Sequence, residues 1–320
     1  MNVRRRELVI ALMVLGSYGV GQPSSEAEAQ EPESYRPSVD VKLVVLHATV
    51  RDRNDRFVSD LRQQDFEVFE NGVPQSNRLF EYEGTPVTVG LVVDQSRSMS
   101  PKLAHVVAAA EAFVGSSNPL DQLFVVNFTD NVSLGLPADV PFTNSDAELK
   151  NAISNAPPAG MTSLYDGIAE GIAQLRVGSR DKKVLLVVSD GGDNASAHSL
   201  NDVLNMAARS NAIIYTIGLF DDTDPDRNPR VLKRLAHRTG GEAFFPGELG
   251  AVVDVCQAIA REIRNQYTIG YVSTNVTLDG AYRAIRVSAR ATGDAKLSVR
   301  TRAGYIVGGE SQAGDGQAAP

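Results

Sequence analysis

Three oxygen-bearing side chains alternate where an apolar run of this chain ends. The run, Val87 to Val93, is rich in β-branched residues and predicts a buried strand. Asp94, Ser96 and Ser98 follow it directly. Carboxylate and hydroxyl oxygens are hard ligands that suit Mg²⁺ or a similar cation. The plainer interpretation is a polar strand-to-helix turn in which a serine caps the helix.

Two later loops carry further oxygen ligands and favour the first interpretation. Thr162 follows a Pro- and Gly-containing break, and Asp190 follows the apolar run Val184 to Val188. Between Thr85 and Arg264, strand-like runs alternate with helical patterns, which predicts a mostly parallel sheet covered on both faces. Because the carboxyl ends of parallel strands meet at one edge of a sheet, we expect the three loops to lie together.

This pattern resembles the metal-ion-dependent adhesion site of the von Willebrand factor type A domain. The matching positions are Asp94, Ser96, Ser98, Thr162 and Asp190. The resemblance covers residues 85–264 and implies an α/β fold, a Rossmann-like, doubly wound, mostly parallel sheet. It implies that the three hydroxyls ligate Mg²⁺, with Mn²⁺ or Ca²⁺ as alternatives, and that the two carboxylates ligate it or hold its waters. Arg97 stands where the family usually has glycine, and the family pattern does not explain it.

The resemblance implies a binding module rather than an enzyme. Because hydroxyl ligands are neutral, they leave part of the cation's positive charge unneutralised. An Asp or Glu carboxylate from a protein partner can then complete the cation's coordination shell. The sequence around the site shows no general base, nucleophile or set of oxyanion donors. Ser98, for example, lacks the GxSxG elbow of a hydrolase nucleophile. The alternatives are a metal-dependent hydrolase and a structural envelope protein with a vestigial metal site.

The flanks of the α/β region are predicted to be β-structure. Residues 38–84 and 265–306 show short alternating strand patterns, and we expect them to pair into one small β-sandwich. Asp65 to Gly72, together with Gly270-Tyr271 and Gly304-Tyr305, is similar to exported bacterial proteins related to von Willebrand factor A that are common in acidobacteria. This second resemblance concerns architecture more than activity.

The N-terminus is predicted to be an export signal. Arg4 to Arg6 form a basic segment, Leu8 to Leu15 a short apolar core, and Ala27-Glu28-Ala29 a cleavage-type sequence. We therefore expect a signal peptide at 1–29 and a linker at 30–37, with the mature protein in the periplasm, cell envelope or extracellular space. No membrane span is expected after cleavage. An uncleaved anchor is the alternative, and the sequence leaves the Sec and twin-arginine routes open.

Composition excludes several other functions. The net charge of −8 over 320 residues argues against a nucleic-acid partner. The single cysteine, Cys256, lies among apolar residues at helical spacing and is expected to be a buried thiol. The four histidines show no zinc-site spacing.

The acidic stretch Asp221 to Asp226 has Lys233 where a calcium loop needs Glu, which favours a solvated loop. Residues 307–320 are a disordered tail by composition.

Overall fold

The structure is a computed structural model that describes residues 43–82, 84–155, 157–220, 227–290 and 297–308. The predicted signal peptide and linker lie outside the described residues, as do Asp221 to Asp226 and residues 309–320 of the predicted tail. Within the described part of the chain, no helix is long and apolar enough to cross a membrane.

Strands and helices alternate through the middle of the chain, and short strands occupy both flanks. The strands are β1 (Leu43–Arg51), β2 (Phe66–Glu70), β3 (Val73–Gln75), β4 (Asn77–Tyr82), β5 (Val87–Asp94), β6 (Gln122–Phe128), β7 (Val132–Leu134), β8 (Lys182–Ser189), β9 (Ala212–Gly218), β10 (Ala243–Phe244), β11 (Gln266–Val272), β12 (Tyr282–Ala289), β13 (Ser298–Arg300) and β14 (Gly304–Ile306). The helices are α1 (Leu103–Gly115), α2 (Asp146–Ser154), α3 (Leu164–Val177), α4 (Leu200–Arg209), α5 (Pro229–Thr239) and α6 (Val252–Arg264).

The central sheet has the strand order β10-β9-β8-β5-β6-β7. Its neighbouring strands are parallel, except that β6 and β7 pair antiparallel. On one side of β5, Val93 lines an apolar space with Val106 of α1 and Cys256 of α6. On the other side, Val92 lies beside Gly171 of α3. Helices therefore cover both faces, and the predicted doubly wound, mostly parallel α/β sheet is confirmed.

Strands from the two flanks interleave in the described residues as two four-stranded antiparallel sheets, β13-β1-β11-β4 and β14-β12-β2-β3. β1 pairs with β11 from Leu43 opposite Val272 to Thr49 opposite Gln266. Asn71 and Gly72 have φ values of 48° and 83° and form the predicted hairpin turn between β2 and β3. Apart from β3, which pairs with β2, the N-terminal strands thus pair with C-terminal strands.

The two flanking sheets share one apolar core. Leu46 and Tyr267 from the first sheet join Phe66 and Val287 from the second in a single buried cluster. The rings of Phe66 and Tyr267 have centroids 4.9 Å apart. The small flanking β-sandwich is therefore present, whereas its boundaries at 38–84 and 265–306 stay predictions. No strand pattern in the sequence predicted β3.

A buried carboxylate joins the central sheet to this sandwich. Glu262 of α6 is 1% exposed. It accepts a hydrogen bond from the Tyr215 hydroxyl of β9 at 2.6 Å and one from Arg51 Nη2 of β1 at 2.8 Å. Arg300 of β13 also pairs with it. Because these partners come from different layers, Glu262 fixes where the flanking strands lie against the α/β unit.

The joint at Glu262 is testable by substitution. Glu262→Gln removes the charge that Arg51 and Arg300 share, so the free energy of unfolding should fall by about 3 kcal/mol. Denaturant unfolding measures the change. The matched control is Glu111→Gln, which breaks the exposed Glu111–Lys150 pair at 3.1 Å and should cost less than about 1 kcal/mol. If both variants lost the same small free energy of unfolding, Glu262 would not be the residue that holds the sandwich against the central sheet.

Candidate metal centre

The three predicted loops meet at the carboxyl edge of the central sheet. In the parallel register Val93 of β5 is level with Val188 of β8 and with Asn127 of β6. The chain after β5 continues along this edge, where the N–H of Gln95 donates to the Phe128 carbonyl at 2.9 Å. The residues that follow β5 and β8 therefore leave the sheet side by side.

Asp94 ends β5 and is fully buried. Its Oδ1 accepts the backbone N–H of Ser96 at 2.9 Å, which turns the chain into a single 3-10 turn over Arg97–Met99. Ser96 precedes this turn, but its side chain makes no capping hydrogen bond. The plainer interpretation, a serine that caps a helix, is therefore not what the structure contains at Ser96.

Hydroxyls connect this loop to the one after β8. The Oγ of Ser189 donates to Asp94 Oδ2 at 2.6 Å, and the Oγ of Ser98 donates to Asp190 Oδ2 at 2.7 Å. The Oγ atoms of Ser96 and Ser98 lie 3.1 Å apart. Asp94, Ser96, Ser98 and Asp190, four of the five predicted residues, thus form one hydrogen-bonded group.

Thr162 reaches the same edge on a loop that is tied on both sides. The N–H of Ala159 donates to the Gln95 carbonyl at 2.9 Å, which joins this loop to the one after β5. The N–H of Thr162 donates to Asn194 Oδ1 at 2.9 Å, and the Asn194 N–H returns a bond to the Thr162 carbonyl at 3.0 Å. The side chain of Thr162 is largely buried, at 7% exposed.

Two carboxylates lie close together in this group. The pKa of Asp94 is raised to about 6, first by burial and then by the charge of Asp190, against the lowering effect of the hydrogen bonds from Ser189 and Ser96. The raised pKa means that the ionised pair is electrostatically unfavourable as it stands. A cation bound between the loops would offset this repulsion.

The donor set fits a hard divalent cation. It consists of the carboxylates of Asp94 and Asp190 and the hydroxyls of Ser96, Ser98 and Thr162. Among the described residues no group of three or more His, Cys, Asp or Glu side chains is placed to hold a metal. Hydroxyl and carboxylate oxygens without nitrogen or sulfur are typical of Mg²⁺ sites rather than zinc sites.

Two supporting residues were not assigned a role from the sequence. Ser189, at the end of β8, bonds Asp94, and its position directly before Asp190 is the only local signal for it. Asn194 connects the loop after β8 to Thr162, although it is exposed and no local sequence pattern signals this bond. Nearby in the chain, Nδ1 of His198 pairs with Asp166 Oδ1 at 2.7 Å.

Comparisons with known proteins agree with this architecture. A family model described as von Willebrand factor type A domain matches residues 88–257, more than half of the chain. The comparison with curated proteins finds no significant match.

Solved structures with similar folds include a von Willebrand factor type A protein from Catenulispora acidiphila, with a TM-score of 0.51 and 12% identity, covering 84% of this chain and 75% of that one. The vWF domain of the type V pili tip protein Mfa5 from Porphyromonas gingivalis has a TM-score of 0.46 and 16% identity, covering 57% and 97%. Proximal thread matrix protein 1 from the mussel byssus, with a zinc-occupied MIDAS motif, has a TM-score of 0.46 and 18% identity. The match covers 61% of this chain and 49% of the mussel protein.

The loop that carries Thr162 depends on one glycine. Gly160 has a φ of +77°, and a Cβ there would also collide with Oδ2 of Asp130. Gly160→Ala should therefore lower the free energy of unfolding by about 1–2 kcal/mol. Gly115→Ala, in α1 with no atom within 4 Å of its Cβ position, is the control and should be neutral or stabilising. Denaturant unfolding of both variants compares them, and an unaffected Gly160→Ala would refute the strained-turn account.

Proposed function

The chain belongs to the von Willebrand factor type A domain family, and from that membership we propose that it is an exported, non-enzymatic module that binds a protein partner through a divalent cation, Mg²⁺ foremost. One observation carries the proposal. Asp94, Ser96, Ser98 and Asp190 come from two loops and form one hydrogen-bonded group, beside the loop of Thr162.

Each residue has a distinct part in holding the cation. Ser96, Ser98 and Thr162 would offer hydroxyl oxygens, and Asp94 and Asp190 would ligate directly or hold metal-bound waters. Bound Mg²⁺ supplies a positive centre that keeps exchangeable ligands in its octahedral shell. Since the hydroxyls are neutral, an Asp or Glu carboxylate from a partner protein adds the missing negative charge and an oxygen ligand.

The hydrogen bonds of the group support binding rather than catalysis. Ser98 donates a hydrogen bond to Asp190, and within the described residues neither Ser96 nor Ser98 is hydrogen-bonded to a histidine that could act as a general base. The N-terminal basic and apolar segments support export to the periplasm, the cell envelope or the extracellular space.

Metal dependence is tested by stability. Mg²⁺ should raise the thermal unfolding midpoint of the wild-type protein, because a ligand at one hundred times its dissociation constant adds about 2.7 kcal/mol. Asp94→Asn should lose this gain and, in EDTA, should be at least as stable as wild type, because it removes one of two neighbouring buried carboxylates. The control Asp139→Asn, at an exposed loop position, should respond as wild type. A full Mg²⁺ response in Asp94→Asn would contradict the proposal.

Partner binding is tested by capture from a cell-envelope extract. Immobilised wild-type protein should retain a partner in Mg²⁺ and release it in EDTA, and Asp94→Asn should retain none in either buffer. Retention that is equal in EDTA would favour the structural alternative with a vestigial metal site. If the wild-type protein turns over a component of the eluted mixture and Asp94→Asn does not, the hydrolase alternative is favoured.

A further inference from the structure

Two exposed side chains without partners border the candidate metal centre. Arg97 lies between Ser96 and Ser98 in the chain, and its side chain is exposed. Within the described residues its guanidinium has no hydrogen bond, ion pair or ring contact. Met161, directly before Thr162, is 51% exposed. One cation and one apolar thioether therefore flank the predicted ligands.

Hydrogen bonds hold the backbone of both residues in place. The N–H of Arg97 donates to the Gly160 carbonyl at 3.4 Å, and its own carbonyl accepts the N–H of Ser100 at 3.2 Å. The N–H of Met161 donates to Asp130 Oδ1 at 3.2 Å. The bond from Arg97 to Gly160 also brings the two bordering loops into contact. These side chains are thus presented on a fixed backbone.

The position of Arg97 matters because acidic groups lie nearby yet do not pair with it. Asp94 takes its hydrogen bonds from Ser189 and Ser96, and Asp190 takes one from Ser98. A guanidinium is always charged and binds carboxylates through two parallel N–H donors. Arg97 is therefore available to a carboxylate that comes from outside the chain.

We propose that the partner presents a segment with two carboxylates, of which one completes the cation's shell and the other pairs with Arg97, while an apolar neighbour lies on Met161. This inference rests on the proposed function and specifies the partner's chemistry. It gives a role to the one position at which the chain departs from the family's usual glycine.

The inference predicts opposite effects on two affinities. Arg97 repels a bound cation and attracts an acidic segment, and both effects weaken with salt. Arg97→Gln should therefore leave Mn²⁺ affinity unchanged or raise it by about two-fold at low salt, and weaken binding of a diacidic segment. A residue that only stabilised the loop would instead lower both affinities when replaced.

The experiment uses Mn²⁺ and two synthetic peptides as probes. Calorimetry measures Mn²⁺ binding, and fluorescence anisotropy in Mg²⁺ measures labelled ALDAEA and ALDAQA, which differ by one carboxylate. Wild type should prefer ALDAEA by about two- to five-fold, the range of an exposed ion pair. Arg97→Gln should lose that preference and Arg97→Lys should keep most of it. Met161→Ala should weaken both peptides equally.

Arg78→Gln is the matched control, because Arg78 is an exposed arginine on β4 of the flanking sandwich. It should keep the wild-type preference. If Arg97→Gln keeps the preference for ALDAEA, or if it loses Mn²⁺ affinity, the proposed role of Arg97 is wrong. The proposed function is unaffected by either result. If the wild-type protein binds neither peptide although Mg²⁺ raises its thermal unfolding midpoint, this inference fails and the proposed function stands. If Mg²⁺ does not raise the midpoint either, both fail.

Discussion

Two buried carboxylates beside each other are the constraint around which this edge of the molecule is built. The parallel register of β5 and β8 places Val93 level with Val188. Asp94 and Ser189 follow and are hydrogen-bonded, and Asp190 comes next at the same edge. Burial and mutual repulsion make this arrangement unfavourable for the bare chain, as the raised pKa of Asp94 indicates. Ser96 and Ser189 donate hydrogen bonds to Asp94, and Ser98 and Gly192 donate to Asp190. The proposed cation would offset the remaining repulsion.

The rest of the fold keeps these loops in position. Helices cover both faces of the central sheet, and the backbone of each loop bonds to its neighbour, as Ala159 does to Gln95. Glu262 of α6 connects the flanking sandwich to the central sheet. Its partners come from β1 and β13 of the sandwich and from β9 of the sheet. The site is therefore held by the scaffold before any ligand arrives, which reduces the ordering cost of binding.

The sequence was informative where the signal is local. The apolar runs ending at Val93 and Val188 predicted buried parallel strands, and Asn71-Gly72 predicted the hairpin turn. Contacts between residues that are distant in the sequence had no local pattern to predict them. The partners of Glu262 lie up to 213 residues away, and β3, which contains Pro74 and is mostly exposed, exists only through its pairing with β2. The hydrogen bond from the Thr162 N–H to Asn194 Oδ1 likewise depends on loops that meet only in the fold.

The account's central claim is that a cation binds among Asp94, Ser96, Ser98, Thr162 and Asp190. The most direct measurement is anomalous X-ray diffraction from crystals of the protein grown with Mn²⁺. The account predicts an anomalous peak contacted by the hydroxyl oxygens of this group, and its loss in crystals of Asp94→Asn grown in the same way. Wild-type crystals without a peak at this position, or Asp94→Asn crystals that keep it, would contradict the account.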